Sequence, residues 1–219
     1  MTAPNTHINV SGTWKSVNKM YVKVSGTWKE INKSYVRVSG VWKQVHAGVV
    51  PGSTTYTTPG TYSFTVPKHN TLTVKVWGAG GSGASNTENG ETGGTSSWNG
   101  TVIANGGRLG TITPTRVAGA GGTASGGSTN VNGGAAGTPA PISRAGVAAD
   151  SGYGDGGGGA AWFSYVQQYA GGGGGGAYST RTYSVGTFSS GSSVTVIVGA
   201  GGTLGQGSGE DGRAEVSWS

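Results

Sequence analysis

The chain has 219 residues, 47 of them glycine, with 33% hydrophobic and 10% charged; that is too apolar-poor for an ordinary packed α/β enzyme and too charge-poor for a charged disordered chain. The glycines do not recur every third residue and proline is scarce, which excludes collagen, and the absence of cysteine removes disulfides and thiol chemistry. The net charge of +6 belongs to residues 1–50, where Lys15, Lys19, Lys23, Lys29, Lys33, Arg37 and Lys43 face the single acid Glu30, while the remainder of the chain balances.

The opening stretch MTAPNTHINV has neither a basic n-region nor an apolar h-region, and no apolar run approaches the ~20 residues of a membrane span. The expectation is a protein made in a reducing cytoplasm, without membrane insertion. A virion component assembled inside a host cell would look the same.

The first element in chain order is a 14-residue repeat: VSGTWKSVNKMYVK from Val10, VSGTWKEINKSYVR from Val24, and VSGVWKQV from Val38, the last cut short. Trp14, Trp28 and Trp42 are equivalent, as are Tyr21 and Tyr35. Ser-Gly and Asn-Lys punctuate short β-prone runs, which predicts a ribbon of about two short strands per repeat. Two readings of the Trp row are open. It forms a small core of its own, or it is an interface, since a two-stranded ribbon is marginal alone and each Trp can bury ~150–250 Å². In the second reading three repeats wrap into a pseudo-threefold plug on a trimeric partner, with these Trp and Tyr residues as the attachment set. The lysines read as a solvated face and not as a nucleic-acid stripe.

From residue 51 the pattern changes. TYSFTV places Tyr62, Phe64 and Val66 on one face, PKHN turns the chain, and TLTVKVW places Leu72, Val74 and Val76 on one face, which predicts an antiparallel hairpin. Near the C-terminus SSVTVIV and RAEVSW predict two more strands, expected to pair with the first two and close the domain. Between them run glycine tracts, including GAGGSG from Gly78 and six glycines from Gly171. A lone tract is a flexible linker. Many tracts side by side, without Cβ atoms, can pack as extended left-handed chains of the polyproline II type, each bonding its N–H and C=O groups to its neighbours. Glycine then forms the core, and loop side chains are free for other work. Aromatic residues stand out in two loops: Trp98 in TSSWNGTVI, and Trp162, Phe163, Tyr165 and Tyr169 in AAWFSYVQQYA. Exposed loop aromatics suit recognition. The alternative for the second group is a short helix packing Trp162, Val166 and Tyr169 on the platform.

Gly78-Ala-Gly80-Gly-Ser-Gly83 fits a dinucleotide fingerprint, but ASNTENGETGG follows where a helix is required. His7, His46 and His69 are isolated, with no metal-ligand spacing. No catalytic residue, metal site or cofactor is expected.

YTTPGTYSFTVP, VWGAGGSG, GGGGGGAYSTRTYSV, VTVIVGAGG and EDGRAEVSW together resemble the glycine-rich domain of phage tail proteins, over roughly residues 54–219. Glycine islands separated by dissimilar loops resemble, more narrowly, the receptor-binding adhesins at the long tail fibre tips of T-even-like phages. That resemblance implies a sandwich of polyglycine II helices, distal loops that bind a porin-type outer-membrane protein of a Gram-negative host, an N-terminal segment seated on the trimeric fibre shaft, and no catalysis. The expected fold is all-β with irregular structure: a Trp-repeat attachment segment over 1–50, and a glycine-rich domain over 51–219 bracketed by antiparallel strands. The expected role is a fibre-tip adhesin in the virion. The alternatives are a structural minor tail or tail-tip module that never touches a receptor, and a glycine-helix bundle acting on ice or a polymer surface.

Overall fold

The computed structural model describes residues 7–17, 19–85, 87–112, 117–136, 171–205 and 207–219. Among these residues every regular element is a strand. The fold is all-β, its sheets are antiparallel, and they do not close into a barrel.

The repeat forms three separate hairpins. β1 (His7–Val10) pairs with β2 (Thr13–Ser16), β3 (Tyr21–Val24) with β4 (Thr27–Glu30), and β5 (Lys33–Val38) with β6 (Val41–Ala47). Each turns on Ser-Gly with both residues left-handed, as at Ser25 (φ 49°) and Gly26 (φ 83°). This is the mirror-image two-residue turn whose twist matches that of the strands. Hairpin positions recur every 14 residues from His7, Tyr21 and Tyr35, so the third copy is complete. A repeat counted from Val10 places the first strand of each hairpin in the preceding copy.

One of the two readings of the Trp row is corrected. The Trp row is not a core of its own: Trp14, Trp28 and Trp42 are 69%, 65% and 66% exposed. No ladder joins one hairpin to the next, so each is a sheet of its own. A two-stranded sheet has nothing opposite its face against which to bury a Trp.

Beyond them lie two five-stranded sheets. The second-half strands are β7 (Gly52–Tyr56), β8 (Gly60–Thr65), β9 (Thr71–Trp77), β10 (Ser96–Trp98), β11 (Val102–Ala104), β12 (Ala124–Ser125), β13 (Thr129–Val131), β14 (Tyr178–Ser184), β15 (Ser193–Val198) and β16 (Arg213–Trp218). One sheet runs β12-β11-β10-β15-β8 and the other β13-β14-β9-β16-β7. Their inner faces share one core, including Phe64, Leu72, Val74, Val76, Trp98, Val102, Val196 and Val216.

The expected pairing of 62–66 with 72–76 is corrected. β8 pairs with β15, and β9 lies in the other sheet between β14 and β16. The two apolar faces do exist, but they meet across the sandwich, where each covers the other; as neighbours in one sheet they would leave that cover to something else. The C-terminal strands β15 and β16 pair with the early strands β8 and β9, as anticipated.

Each strand from β9 to β16 continues into a glycine-rich tract at the same end of the sandwich. In chain order the tracts are 78–85, 90–95, 105–111, 117–123, 132–136, 171–177, 199–203 and 207–212. Successive N–H groups of the first tract donate to three different neighbours in rotation. Gly78, Gly81 and Ala84 donate to the carbonyls of Ala177, Gly174 and Gly171 in the sixth tract, each at 2.9 Å. Ala79 and Ser82 donate to Gly94 and Glu91 in the second, and Gly80 and Gly83 to Glu210 and Gly207 in the eighth. The same three-residue step recurs elsewhere: Asn105, Arg108 and Thr111 donate to Thr123, Ala120 and Val117. Backbone groups are therefore satisfied without a sheet. Glycine is required by the approach distance: a Cβ on Gly107 would overlap the carbonyl of Gly174, and one on Gly176 the carbonyl of Gly78.

Candidate recognition surface

The polarity of the second half follows from its register. The chain enters β7 at Gly52, which pairs with Trp218 at the end of β16 farthest from the eighth tract. The Trp218 indole N–H holds Val50 O at 2.9 Å, and its ring packs so closely on Gly52 that a Cβ there would collide with it. The Trp-repeat segment therefore joins the sandwich at one end, and the inter-tract connections gather at the other.

The described residues that border those connections are Ser85, Thr87 to Gly90, Thr111, Ile112, Val117, Thr203 to Gly205 and Gly207, with Ala136 and Gly171 at the same end. Backbone bonds tie them side by side: Gly83 N–H to Gly207 O, Ala84 N–H to Gly171 O, and Gly90 N–H to Gly110 O. Side chains add cross-links. Asn89 Oδ1 accepts the Ile112 N–H at 2.8 Å, and Ser85 Oγ accepts the Glu88 N–H at 2.8 Å. Glu91 Oε2 accepts both the N–H and the hydroxyl of Thr203, at 3.0 and 3.1 Å. Val117 and Leu204 stand exposed on this polar rim. The sequence did not single out Asn89, Glu91, Val117 or Leu204; the available signal was their position in short non-glycine inserts between tracts.

The two Thr203 bonds, the backbone one first, hold the Glu91 carboxyl below its usual 4.5. A group with a depressed folded pKa adds stability above its unfolded pKa and loses it as pH falls through the folded value. The 203–207 connection is expected to loosen below pH 4.5, with faster amide exchange at Thr203 after correction for intrinsic rates. Glu91→Gln should show that faster exchange at neutral pH; protection equal to the parent's would refute the tether.

The expected recognition and attachment residues separate into three groups. Trp98, expected on an exposed loop, is corrected: it lies in β10 and is 0% exposed. Its ring centroid sits 5.4 Å from that of Phe64 and 5.8 Å, edge-on, from that of Phe188. The following Asn99-Gly100 supplies the left-handed turn into β11, so WNGT is a hairpin corner whose Trp faces inward. Trp162, Phe163, Tyr165 and Tyr169, with the alternative helix through Val166, lie outside the described residues. Trp14, Tyr21, Trp28, Tyr35 and Trp42 are all exposed on the hairpins.

A shallow groove on the flank is lined by Thr92, Thr95, Asn105, Arg108 and Thr123. Thr95 donates to Asn105 Oδ1 at 3.1 Å and Asn105 donates to Thr123 Oγ1 at 3.0 Å, which makes a rung across three tracts. Gly78 to Gly83 form no phosphate loop, since their N–H groups are committed to neighbouring tracts. His69 is buried at the β8–β9 turn, its Nδ1 2.8 Å from Pro67 O. Among the described residues no cluster of His, Asp and Glu could hold a metal, and no helix is long and apolar enough to cross a membrane.

The class that fold and surface define is a two-sheet antiparallel protein extended at one end by hydrogen-bonded glycine tracts. No protein-family model matches the chain, and neither does any curated protein or solved structure.

Proposed function

We propose that the chain is a phage tail fibre tip adhesin, binding a porin-type host outer-membrane protein through the inter-tract connections and mounted on a trimeric fibre shaft by its Trp hairpins. The observation that carries this reading is the opposed placement of the entry at Gly52 and of the described residues that border the connections 85–90, 111–117 and 203–207. An adhesin needs one end to hold and another to present. The role is binding without catalysis, and the protein acts at the distal end of the fibre in the virion.

The glycine tracts, in this proposal, are packed polyglycine II helices. The rotation of N–H donors among three neighbours with a three-residue step supports it, because that helix has three residues per turn. A rigid backbone lattice would free the connecting segments to vary in sequence without loss of the core. Residues 137–170, which lie between the fifth and sixth tracts in sequence, include the aromatic group Trp162, Phe163, Tyr165 and Tyr169.

Replacing residues 160–170 by Gly-Ser repeats is expected to abolish binding to outer membranes of the host while the melting temperature stays within a few degrees. Membranes from hosts lacking individual porins would identify the receptor. Full binding by the replaced protein would remove that segment's role. Absence of binding by the parent protein to any host membrane would leave the structural tail module.

A further inference from the structure

We propose that the flank groove across the second, third and fourth tracts binds a short acidic saccharide. The site is additional to the tip and the mount and rests on neither role. Three features of the groove point there. The first is its lining. Thr92 and Thr95 come from the second tract, Asn105 and Arg108 from the third and Thr123 from the fourth, with glycine backbone between them, around a volume of about 350 Å³. Among the described residues that line it, none is aliphatic or aromatic, and Arg108 is the one ionisable group. A ligand matched to that lining carries hydroxyls and a negative charge.

The second feature is hydroxyl order. In the rung, Thr95 Oγ1 donates to Asn105 Oδ1 and Asn105 Nδ2 donates to Thr123 Oγ1. A hydroxyl has one donor and two acceptor positions, and an amide nitrogen has two donors. The rung therefore keeps acceptor capacity at Thr95 and a donor at both Asn105 and Thr123. Neighbouring sugar hydroxyls, each donor and acceptor at once, match that set. Backbone bonds fix the tracts beneath: Asn105 N–H donates to Thr123 O at 2.9 Å, Arg108 N–H to Ala120 O at 2.8 Å, and Gly93 N–H to Gly107 O at 2.9 Å. A site held this way needs little ordering when a ligand arrives.

The third feature is the cation. Arg108 is exposed and makes no ion pair among the described residues. A guanidinium forks onto a carboxylate or a phosphate with two parallel bonds, so the acid is a uronate or a sugar phosphate. Arg108 stands one three-residue step beyond Asn105 on the same tract. At ~3.1 Å per residue that step is ~9 Å, the reach of a disaccharide held by its hydroxyls at the rung and by its acid at Arg108. A nucleic acid is a poorer match, because the groove offers no ring on which a base can stack. An acidic peptide would use Arg108 and leave the rung without partners.

The test titrates the full chain, followed through its amide signals, with digalacturonate, with trehalose 6-phosphate and with neutral maltose. At least one acidic disaccharide is expected to move the Asn105 side-chain amide and the Gly106 and Gly122 backbone amides at millimolar concentration. Maltose should bind about 10-fold more weakly, the size of one hydrogen bond to a charged group. The acid that binds tells carboxylate from phosphate. Arg108→Gln is expected to weaken the acidic disaccharide by about 10-fold and to leave maltose unchanged, and Thr123→Val to weaken both by about 5-fold. Both positions are exposed, so the melting temperature should stay at the parent's value in each variant. Groove amides that stay in place with both acids, or binding that Arg108→Gln leaves intact, would overturn the site. Equal affinity for acetate or inorganic phosphate alone would reduce it to an anion contact and overturn the saccharide. Tighter binding of diglutamate than of either acidic disaccharide would make the ligand a peptide. None of these results touches the adhesin reading, which is judged separately by binding of the parent chain to host membranes.

Discussion

Gly174→Val is expected to unfold the glycine-rich half or cost it several kcal/mol, measured as a collapse of soluble yield and a lowered urea midpoint. Gly174 sits in the sixth tract with neighbours on several sides. Its N–H donates to Arg108 O at 2.8 Å, its carbonyl accepts from Gly81 at 2.9 Å, and a Cβ would overlap the carbonyl of Ala120. All three neighbours are backbone, so no side chain can swing aside. Relief requires moving a tract, and the bonds of Gly171 and Ala177 to the third tract would go with it. Overpacking alone costs ~1–3 kcal/mol, and each lost bond adds ~1 kcal/mol, against a total stability of ~5–15 kcal/mol. Val117→Ser, at an exposed position on the rim, should stay within ~0.5 kcal/mol. An unchanged midpoint for Gly174→Val would show that the tracts do not pack as described.

The second large effect is expected at Trp98. Trp98→Ala removes, from between the two sheets, the largest fully buried side chain among the described residues; aromatic-to-alanine changes in such a core cost ~3–5 kcal/mol. Trp98→Phe should cost clearly less, since it refills most of the volume. It also removes an indole N–H that has no hydrogen-bond partner in the core. Denaturation of both variants decides the matter. A Trp98→Ala protein as stable as its parent but unable to bind host membranes would return Trp98 to the recognition set; a destabilised one confirms it as core.

Trp98 also shows where sequence reading stops. TSSWNGTVI contains an Asn-Gly pair between apolar residues, the strongest short hairpin signal, yet the glycine surroundings made it look like a loop. The same surroundings hid β12, β13 and β14, which are short or rich in Ser and Thr. By contrast the inward faces of β8, β9, β15 and β16 were legible, because alternation survives in Phe64, Val74, Val196 and Val216. Which strands would pair was less so. Period-two patterning says that a face is buried but not whether its cover lies beside it or across a sandwich, and β8 and β9 went to different sheets for that reason.

Residue order by itself determined the hairpin repeat, the basic character of its segment and the need for glycine wherever chains come close. Each is a local property: Ser-Gly turns, lysine spacing and missing Cβ atoms act within a few residues. Tertiary structure alone decided the exposure of Trp14, Trp28 and Trp42, the burial of Trp98, and the collection of the inter-tract connections at the end opposite Gly52. Glycine has no side chain with which to specify a neighbour, so a tract cannot select its partners. The apolar strands do it instead: β9 beside β14 and β16 places the first tract beside the sixth and the eighth. The order of the glycine lattice is inherited from a core that lies outside it.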